Sequence, residues 1–337
     1  MSDGIVHPFD KSAEGWAFEP VHSYHCIKEK IMTASHPSRE LVVNWHITEA
    51  CNYHCHYCFA KWDMSAQREA LHFPERVEHI IQEIARLPAI LNQQHSSQFD
   101  ALRLNFVGGE AFLYAQALQH MIQTAKGLGM SVSAITNGSL LNAQWLDVIA
   151  ANLDTIGFSV DSLLPEVNVQ LGRSDKRGVL DLAVLGQQID QLRQMQPDIN
   201  IKLNTVVNAL NYQESFHGLI EGIQPNKWKV FKMLPVLNDH HSITQSQFEH
   251  FLSQHQGFQS IMAPENNQEM VNSYLMVDPM GRFFQNSAAY GGYQYSMAID
   301  SQPIEQCLAE IDFQPQRFAA RYQSIGQYPI KVLQPVS

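Results

Sequence analysis

A chain of 337 residues, 45% of them hydrophobic and only 16% charged, can bury a large core and is unlike a disordered protein. Its formal net charge of −11, with histidine neutral, argues against a general nucleic-acid binder or a protein held to anionic lipid, but leaves room for a local basic pocket that takes an anionic small molecule. Three of the five cysteines fall within eight residues, the N-terminus has no signal-peptide pattern and no run approaches a membrane span; a cytoplasmic protein without membrane contact is expected.

Residues 1–40 are irregular and polar and read as a leader to the main domain. From 41 onward, apolar extended runs alternate with helical patterns. LVVNWHI (41–47) predicts a strand and PERVEHIIQEIARL (74–87) a helix, with Val77, Ile80, Ile81 and Ile84 at helical spacing. Further strands are expected at 101–107, 130–136, 154–160, 200–207 and 227–234, the last of the run. Helices are expected near 114–127 and in 142–152, 178–195 and 211–223. Six strand-then-helix units imply an α/β fold with a parallel sheet and right-handed crossovers, as an open barrel or a doubly wound sheet. After Pro235 the rhythm changes. Residues 236–270 are polar and rich in Gln and His, SYLMVD (273–278) and GRFFQN (281–286) read as a hairpin, and PIEQCLAEI (303–311) reads as a short helix. The chain thus divides into an extension over 1–40, a body over 41–235 and an extension over 236–337 that closes the barrel and its substrate site.

Cys51, Cys55 and Cys58 lie in TEACNYHCHYC (48–58), directly after the first strand. The loop at the C-terminal end of a strand is where barrel folds carry their chemistry. Three thiolates can ligate three irons of a four-iron cube, leaving the fourth iron to chelate a small molecule. The alternatives are three unrelated cysteines, or a zinc knuckle completed by His54 or His56, which would make the chain an interaction module. The next strand ends in LNFVGGEAF (104–112), where Gly108 and Gly109 allow close approach of the backbone to a ligand and Glu110 supplies a carboxylate.

Several strands alternate where a barrel strand buried on both faces would be continuously apolar. Arg103 and Asn105 share a face opposite Leu102, Leu104 and Phe106; Lys202 and Asn204 oppose Ile201 and Leu203; Lys227 and Lys229 share a face as well. Turned inward, these side chains would line a cationic lumen suited to a polyanion such as a triphosphate. The plainer reading is Lys and Arg snorkelling at the barrel ends or held in structural ion pairs.

The cysteine spacing and Gly-Gly-Glu resemble the radical S-adenosylmethionine (SAM) superfamily, in which a [4Fe–4S] cluster chelates SAM and cleaves it to a 5′-deoxyadenosyl radical. VNWHITEACNYHCHYCF, LNFVGGEAF, ITNGSLL, SVDSLLPEVNVQLGR, IKLNTVVNALN, NKWKVFKMLPV and PENNQEMVNSYLMVD together resemble the viperin family, over about residues 44–300. The resemblance implies a partial (β/α)6 TIM-like barrel. It also implies conversion of a nucleoside triphosphate to its 3′-deoxy-3′,4′-didehydro analogue, a product that terminates viral polymerases. Hydrogen is taken from ribose C4′ and the 3′-hydroxyl leaves as water. CTP is the first expected substrate, then UTP or GTP.

By the same resemblance Cys51, Cys55 and Cys58 carry the cluster, Tyr57 lies near the adenine of SAM, and Gly108, Gly109, Glu110, Asn137, Ser159 and Arg173 hold SAM. Asn44, Arg103, Asn105, Lys202, Asn204, Lys227 and Lys229 line the nucleotide site, with Lys202 and Lys229 as phosphate ligands and candidate acids. A flavodoxin or ferredoxin is the expected electron donor and a monomer the expected state. Ala111 stands where the superfamily usually has Pro, Val107 where a serine is common, and Arg103 where the family often has Lys. The loop 278–292 lacks the basic and aromatic residues of the animal enzyme near the base, and the N-terminal membrane helix of that enzyme is not seen. A radical SAM enzyme acting on a peptide is the competing reading; Cys26 and Cys307, far apart, give little support for the extra clusters such enzymes carry.

Overall fold

The computed structural model describes residues 39–58, 69–233, 240–266, 270–287 and 292–323. Nearly all of the expected leader over 1–40, with Cys26, lies outside the described residues, as does the expected boundary at 235. Six strands fall where the sequence places them: β1 (Glu40–His46), β2 (Ala101–Val107), β3 (Ser131–Thr136), β4 (Thr155–Ser159), β5 (Asn200–Val207) and β6 (Lys227–Lys232). They pair in parallel and in sequence order. Between them lie α1 (Pro74–Ala85), α2 (Leu87–His95), α3 (Ala115–Gly127), α4 (Ala143–Asn152), α5 (Pro165–Gln170), α6 (Leu182–Met195) and α7 (His217–Ile223).

The run does not stop at β6. β7 (Met262–Glu265) adds in parallel to its outer edge, and β8 (Leu275–Val277) adds in parallel to β1. β9 (Arg282–Ser287) and β10 (Gly292–Ala298) extend the β8 side as antiparallel strands, giving one ten-stranded sheet ordered β10-β9-β8-β1-β2-β3-β4-β5-β6-β7. β7 escapes a pattern search because it is four residues long and contains Pro264. A proline is tolerated there because β7 is an edge strand. The expected hairpin is β8–β9, and the expected late helix is α9 (Ile304–Ala309). α8 (Gln245–Gln254), opened by a Thr244–Gln247 capping box, and α10 (Pro315–Gln323) complete the C-terminal part.

Local chemistry trims two helices. α6 begins at Leu182 rather than near 178 because the Asp181 carboxylate caps it, accepting from Ala183 N and Val184 N at 2.9 and 3.1 Å. α7 is reduced to seven residues. Upstream, Asn208 Oδ1 accepts from Leu210 N and Asn211 Oδ1 from Asn208 N, offering the backbone a turn instead of a helix.

One face of β1–β6 carries Leu41, Val43, Trp45, Leu104, Phe106, Ile156, Phe158, Ile201, Leu203, Trp228 and Val230, all buried in a single core against the helices. The other face lines one cavity, to which β1, β2, β3, β4, β5 and β6 all contribute side chains. Six flat strands would span roughly 24 Å at about 4.8 Å each, so a shared cavity requires the sheet to curl. This is the partial barrel that the resemblance implies, with its concave side polar.

Candidate active site

The cysteine loop leaves the C-terminal end of β1 and is stitched to its neighbours through backbone. Gly109 N donates to Thr48 O and Glu110 N to Ala50 O, both at 2.8 Å. On the other side His54 N donates to Gly172 O at 2.9 Å and His56 N to Leu171 O at 3.1 Å. Glu69, where the described chain resumes after the loop, accepts from Glu49 N at 2.8 Å and from Thr48 Oγ1. The two glycines of Gly-Gly-Glu serve this seam. A Cβ on Gly109 would stand 2.2 Å from Ala50 O, and one on Gly108 (φ +139°) 2.6 Å from Thr48 O. The backbone they let in close is therefore the cysteine loop itself, where the sequence suggested a ligand.

Burial pushes the Cys51 and Cys55 thiols up to about 11, and the charge of Cys58 pushes both further. A metal binding there would displace their protons. Among the described residues no three His, Cys, Asp or Glu side chains converge on one point as a single metal ion requires. His54 and His56 are exposed, and His56 stacks with His241. Three thiols on one loop are the donors that three irons of a cube take, one each. The donor set fits a [4Fe–4S] cluster. Cys307 is elsewhere, buried on α9 with its Sγ 3.7 Å from Ala298 O.

Around this loop stand the residues expected at SAM. Glu110 is buried, accepting from Phe112 N, Thr136 Oγ1 and Asn137 N at 3.1, 2.8 and 2.8 Å. Burial raises its carboxyl to about 7 against these donors. Asn137 Nδ2 donates to Asn52 Oδ1 at 2.9 Å and lies 4.0 Å from Cys51 Sγ. Ser159 ends β4, and its carbonyl accepts from Arg173. Arg173 is buried in an ion pair with Asp161 at 2.8 Å, and the Tyr57 hydroxyl also donates to Asp161. Tyr57 is thus tied into a buried polar group. Asp161, two residues past the end of β4, ties Arg173 and Tyr57 together, a role the resemblance does not assign it.

The concave face holds the other group. Val42, Asn44, Arg103, Asn105, Ser133, Ile135, Thr155, Lys202, Lys227 and Lys229 line the cavity, joined by Tyr274, Phe318 and Arg321 from the C-terminal part. Asn105 Nδ2 donates to Asn44 Oδ1 and Ser133 Oγ to Asn105 Oδ1, both at 2.7 Å, a neutral chain across β1, β2 and β3. Asn204 lies beside Ser159 and Lys229 in register, and its buried Oδ1 has no hydrogen-bond partner among the described residues. Arg103 pairs with Glu40 at 3.2 Å. Lys229 pairs with Glu265 of β7 and donates to Tyr274 Oη at 2.6 Å. Arg321 lies 3.7 Å from Glu265, packs its guanidinium over the Tyr274 ring and donates to Ser273 O at 2.6 Å.

Burial alone would raise the Glu265 carboxyl, but Lys229 and Arg321 outweigh it and hold it at about 2. Burial draws Lys227 down to about 8. Burial, then the charges of Lys229, Lys227 and Arg103, hold Lys202 well below the ordinary lysine value. Among the described residues Lys202 has no hydrogen-bonding or ion-pairing partner. The sequence missed Ser133, Thr155, Glu265, Tyr274 and Arg321. Ser133 pairs in register with Asn105, so the strand alternation that found Asn105 reaches it too. Arg321 on a C-terminal helix carried no such signal.

Residues 45–183 match the Radical SAM superfamily. The S-adenosylmethionine-dependent nucleotide dehydratase of Psychrobacter lutiphocae is 46% identical over 285 residues, covering 85% of this chain and 95% of that protein. The protein of the same description from Pseudoalteromonas ulvae is 37% identical over 290 residues, covering 85% and 94%. Among solved structures, native anSMEcpe with bound AdoMet superposes with a TM-score of 0.57 at 12% identity, covering 80% of each chain, a likeness of fold alone. A [4Fe–4S] cluster and SAM are the cofactors of the superfamily. Identity at this level over nearly the full length of those relatives makes this chain a member of the S-adenosylmethionine-dependent nucleotide dehydratase family.

Proposed function

We propose that this protein dehydrates a nucleoside triphosphate, CTP before UTP or GTP, to the 3′-deoxy-3′,4′-didehydro analogue, as part of antiviral defence. The observation that carries the reading is a cavity faced by Arg103, Lys202, Lys227, Lys229 and Arg321, on the concave side of strands whose C-terminal ends bear the cysteine loop and Gly-Gly-Glu. Among the described residues Glu40 pairs with Arg103, and Glu265 with Lys229 and Arg321. A triphosphate entering this cluster of cations would be held by charge-assisted hydrogen bonds.

Cys51, Cys55 and Cys58 hold the [4Fe–4S] cluster, which with SAM bound supplies a hydrogen-abstracting radical. Glu110, Asn137, Ser159 and Arg173 orient SAM, with Tyr57 beside them and Gly108 and Gly109 shaping the turn. Lys202, Lys227, Arg103 and Arg321 bind phosphate oxygens. The amide and hydroxyl chain of Asn44, Asn105 and Ser133, with Asn204, holds the ribose and base. Loss of the 3′-hydroxyl as water needs a proton at that oxygen, and a lysine whose ammonium is destabilised by burial is a suitable donor; Lys202 and Lys229 are the candidates. One electron from the reductant then closes the 3′,4′ double bond, the proton being the one already given to the leaving hydroxyl. The described residues after β6 close the site, since Glu265, Tyr274, Phe318 and Arg321 all reach the cavity or its cations. The protein works as a cytoplasmic monomer reduced by a flavodoxin or ferredoxin.

The test is anaerobically reconstituted, reduced enzyme with SAM and each triphosphate in turn. The expected result is 5′-deoxyadenosine together with a nucleotide lighter by one water. 5′-Deoxyadenosine that never depends on a nucleotide would remove the substrate reading.

A further inference from the structure

We infer that Arg173 is a fixed cation set against the cluster sulfur of Cys55, and that Asp161 and Tyr57 are positioning residues which tune the reduction potential of the cluster through it. Arg173 Nη1 lies 3.9 Å from Cys55 Sγ. The guanidinium is not free to swing. It is paired with Asp161 at 2.8 Å, donates to Ser159 O and stands 5.8 Å from the centre of the Tyr53 ring. Asp161 is immobilised in turn, accepting from Val206 N of β5 at 2.7 Å and from the Tyr57 hydroxyl. Asp161, Arg173 and Tyr57 are 2%, 7% and 8% exposed.

Backbone fixes the registry between cation and sulfur. His54 N and His56 N donate to Gly172 O and Leu171 O, on either side of Cys55. Gly172 has φ +75°, and a Cβ there would stand 2.3 Å from His54 O, so no side chain separates the two segments.

A buried ion pair adds little stability over an apolar pair of the same shape, so its place beside a metal ligand calls for another reason. Adding an electron to a cluster makes it more negative. A buried guanidinium at a ligating sulfur stabilises that reduced state and raises the potential. Asp161 offsets part of this field and Tyr57 withdraws part of the offset by hydrogen bonding to the carboxylate. The contact of Arg173 with Cys55 is made within the chain itself, beside whatever part Arg173 plays in holding SAM.

The inference rests on the cluster being carried by Cys51, Cys55 and Cys58, which iron and sulfide content read separately. The experiment is an EPR-monitored redox titration of the full chain, reconstituted and without SAM. Arg173→Gln should lower the potential and Asp161→Asn, which leaves the guanidinium uncompensated, should raise it. Each should change the reduced-to-oxidised ratio at fixed poise by tenfold or more, about 59 mV for a one-electron couple. A merely structural role gives no reason for opposite signs. Shifts of the same sign, or none in either variant, overturn the proposal. Should either variant load less than a full cluster, Tyr57→Phe is titrated instead. It strengthens the offset by Asp161, so its potential must fall, and an unchanged potential overturns the proposal.

Discussion

Lys202 is a lysine on the polar face of β5, held by burial and by three neighbouring cations well below its ordinary pKa. Such a group is costly to keep charged until an anion arrives. Replacing it with methionine keeps the stem and removes the charge. Charged hydrogen bonds are worth about 1.5–3 kcal/mol, so Lys202→Met should raise KM for the triphosphate by roughly tenfold or more. SAM cleavage in the absence of nucleotide should persist, because the SAM-side residues are on other elements. An unchanged KM would move the phosphates elsewhere.

The same lysines give a pH signature. Lys227 sits at about 8 in the free protein. A bound polyanion favours its charged form and raises that value, so binding takes up protons where free Lys227 is partly neutral. The share of the affinity that Lys227 contributes should be full below about pH 8 and fall as pH rises through the free value toward the raised one. Calorimetry at pH 8.5 in two buffers of different ionisation enthalpy should show net proton uptake. Net release would mean that groups other than these lysines dominate.

At the scale of elements, the cysteine loop and the Gly-Gly-Glu turn act as one unit. Gly109→Ala must place a Cβ where Ala50 O now lies, 2.2 Å away. Backbone cannot give way there without moving the loop, so the variant should lose most reconstituted iron and sulfide while far-UV circular dichroism stays unchanged. Full loading would show that the seam is looser than the close contact suggests. Much of this unit was legible because its residues are contiguous: three cysteines in eight positions, and a short motif ending the next strand. The cationic cavity was legible for a different reason. Strand alternation puts Arg103 with Asn105 and Lys202 with Asn204 on one side, and the parallel register brings those sides together. What could not be read was the partner of each cation. Glu265 lies on a four-residue edge strand containing proline, and Arg321 on a helix with no motif. The ion pair of Lys229 with Glu265 joins residues 36 apart in sequence and depends on β7 joining the sheet. The extents of α6 and α7 were misread because side-chain oxygens of Asp181, Asn208 and Asn211 set local hydrogen bonds that periodicity does not register.

At the scale of the molecule, charge is divided between surface and cavity. The chain carries −11 overall, with histidine neutral, yet the concave face of the sheet gathers Arg103, Lys202, Lys227, Lys229 and Arg321. A nucleotide triphosphate therefore meets repulsion at long range and attraction only on entering the site. Screening separates the two, because the Debye length shortens from about 30 Å at 0.01 M salt to about 8 Å at 0.15 M. Added salt should weaken the long-range repulsion more than the enclosed contacts. The association rate should then rise, or at least hold, between those conditions, while the dissociation rate climbs modestly. Most proteins that use a basic site to catch an anion show the opposite, a steep fall in association rate with salt. Stopped-flow binding of a fluorescent triphosphate analogue at the two ionic strengths distinguishes these behaviours. A steep fall here would mean that the cavity potential reaches beyond the acidic surface, and that the cationic face is more open to solvent than its lining by Tyr274, Phe318 and Arg321 implies.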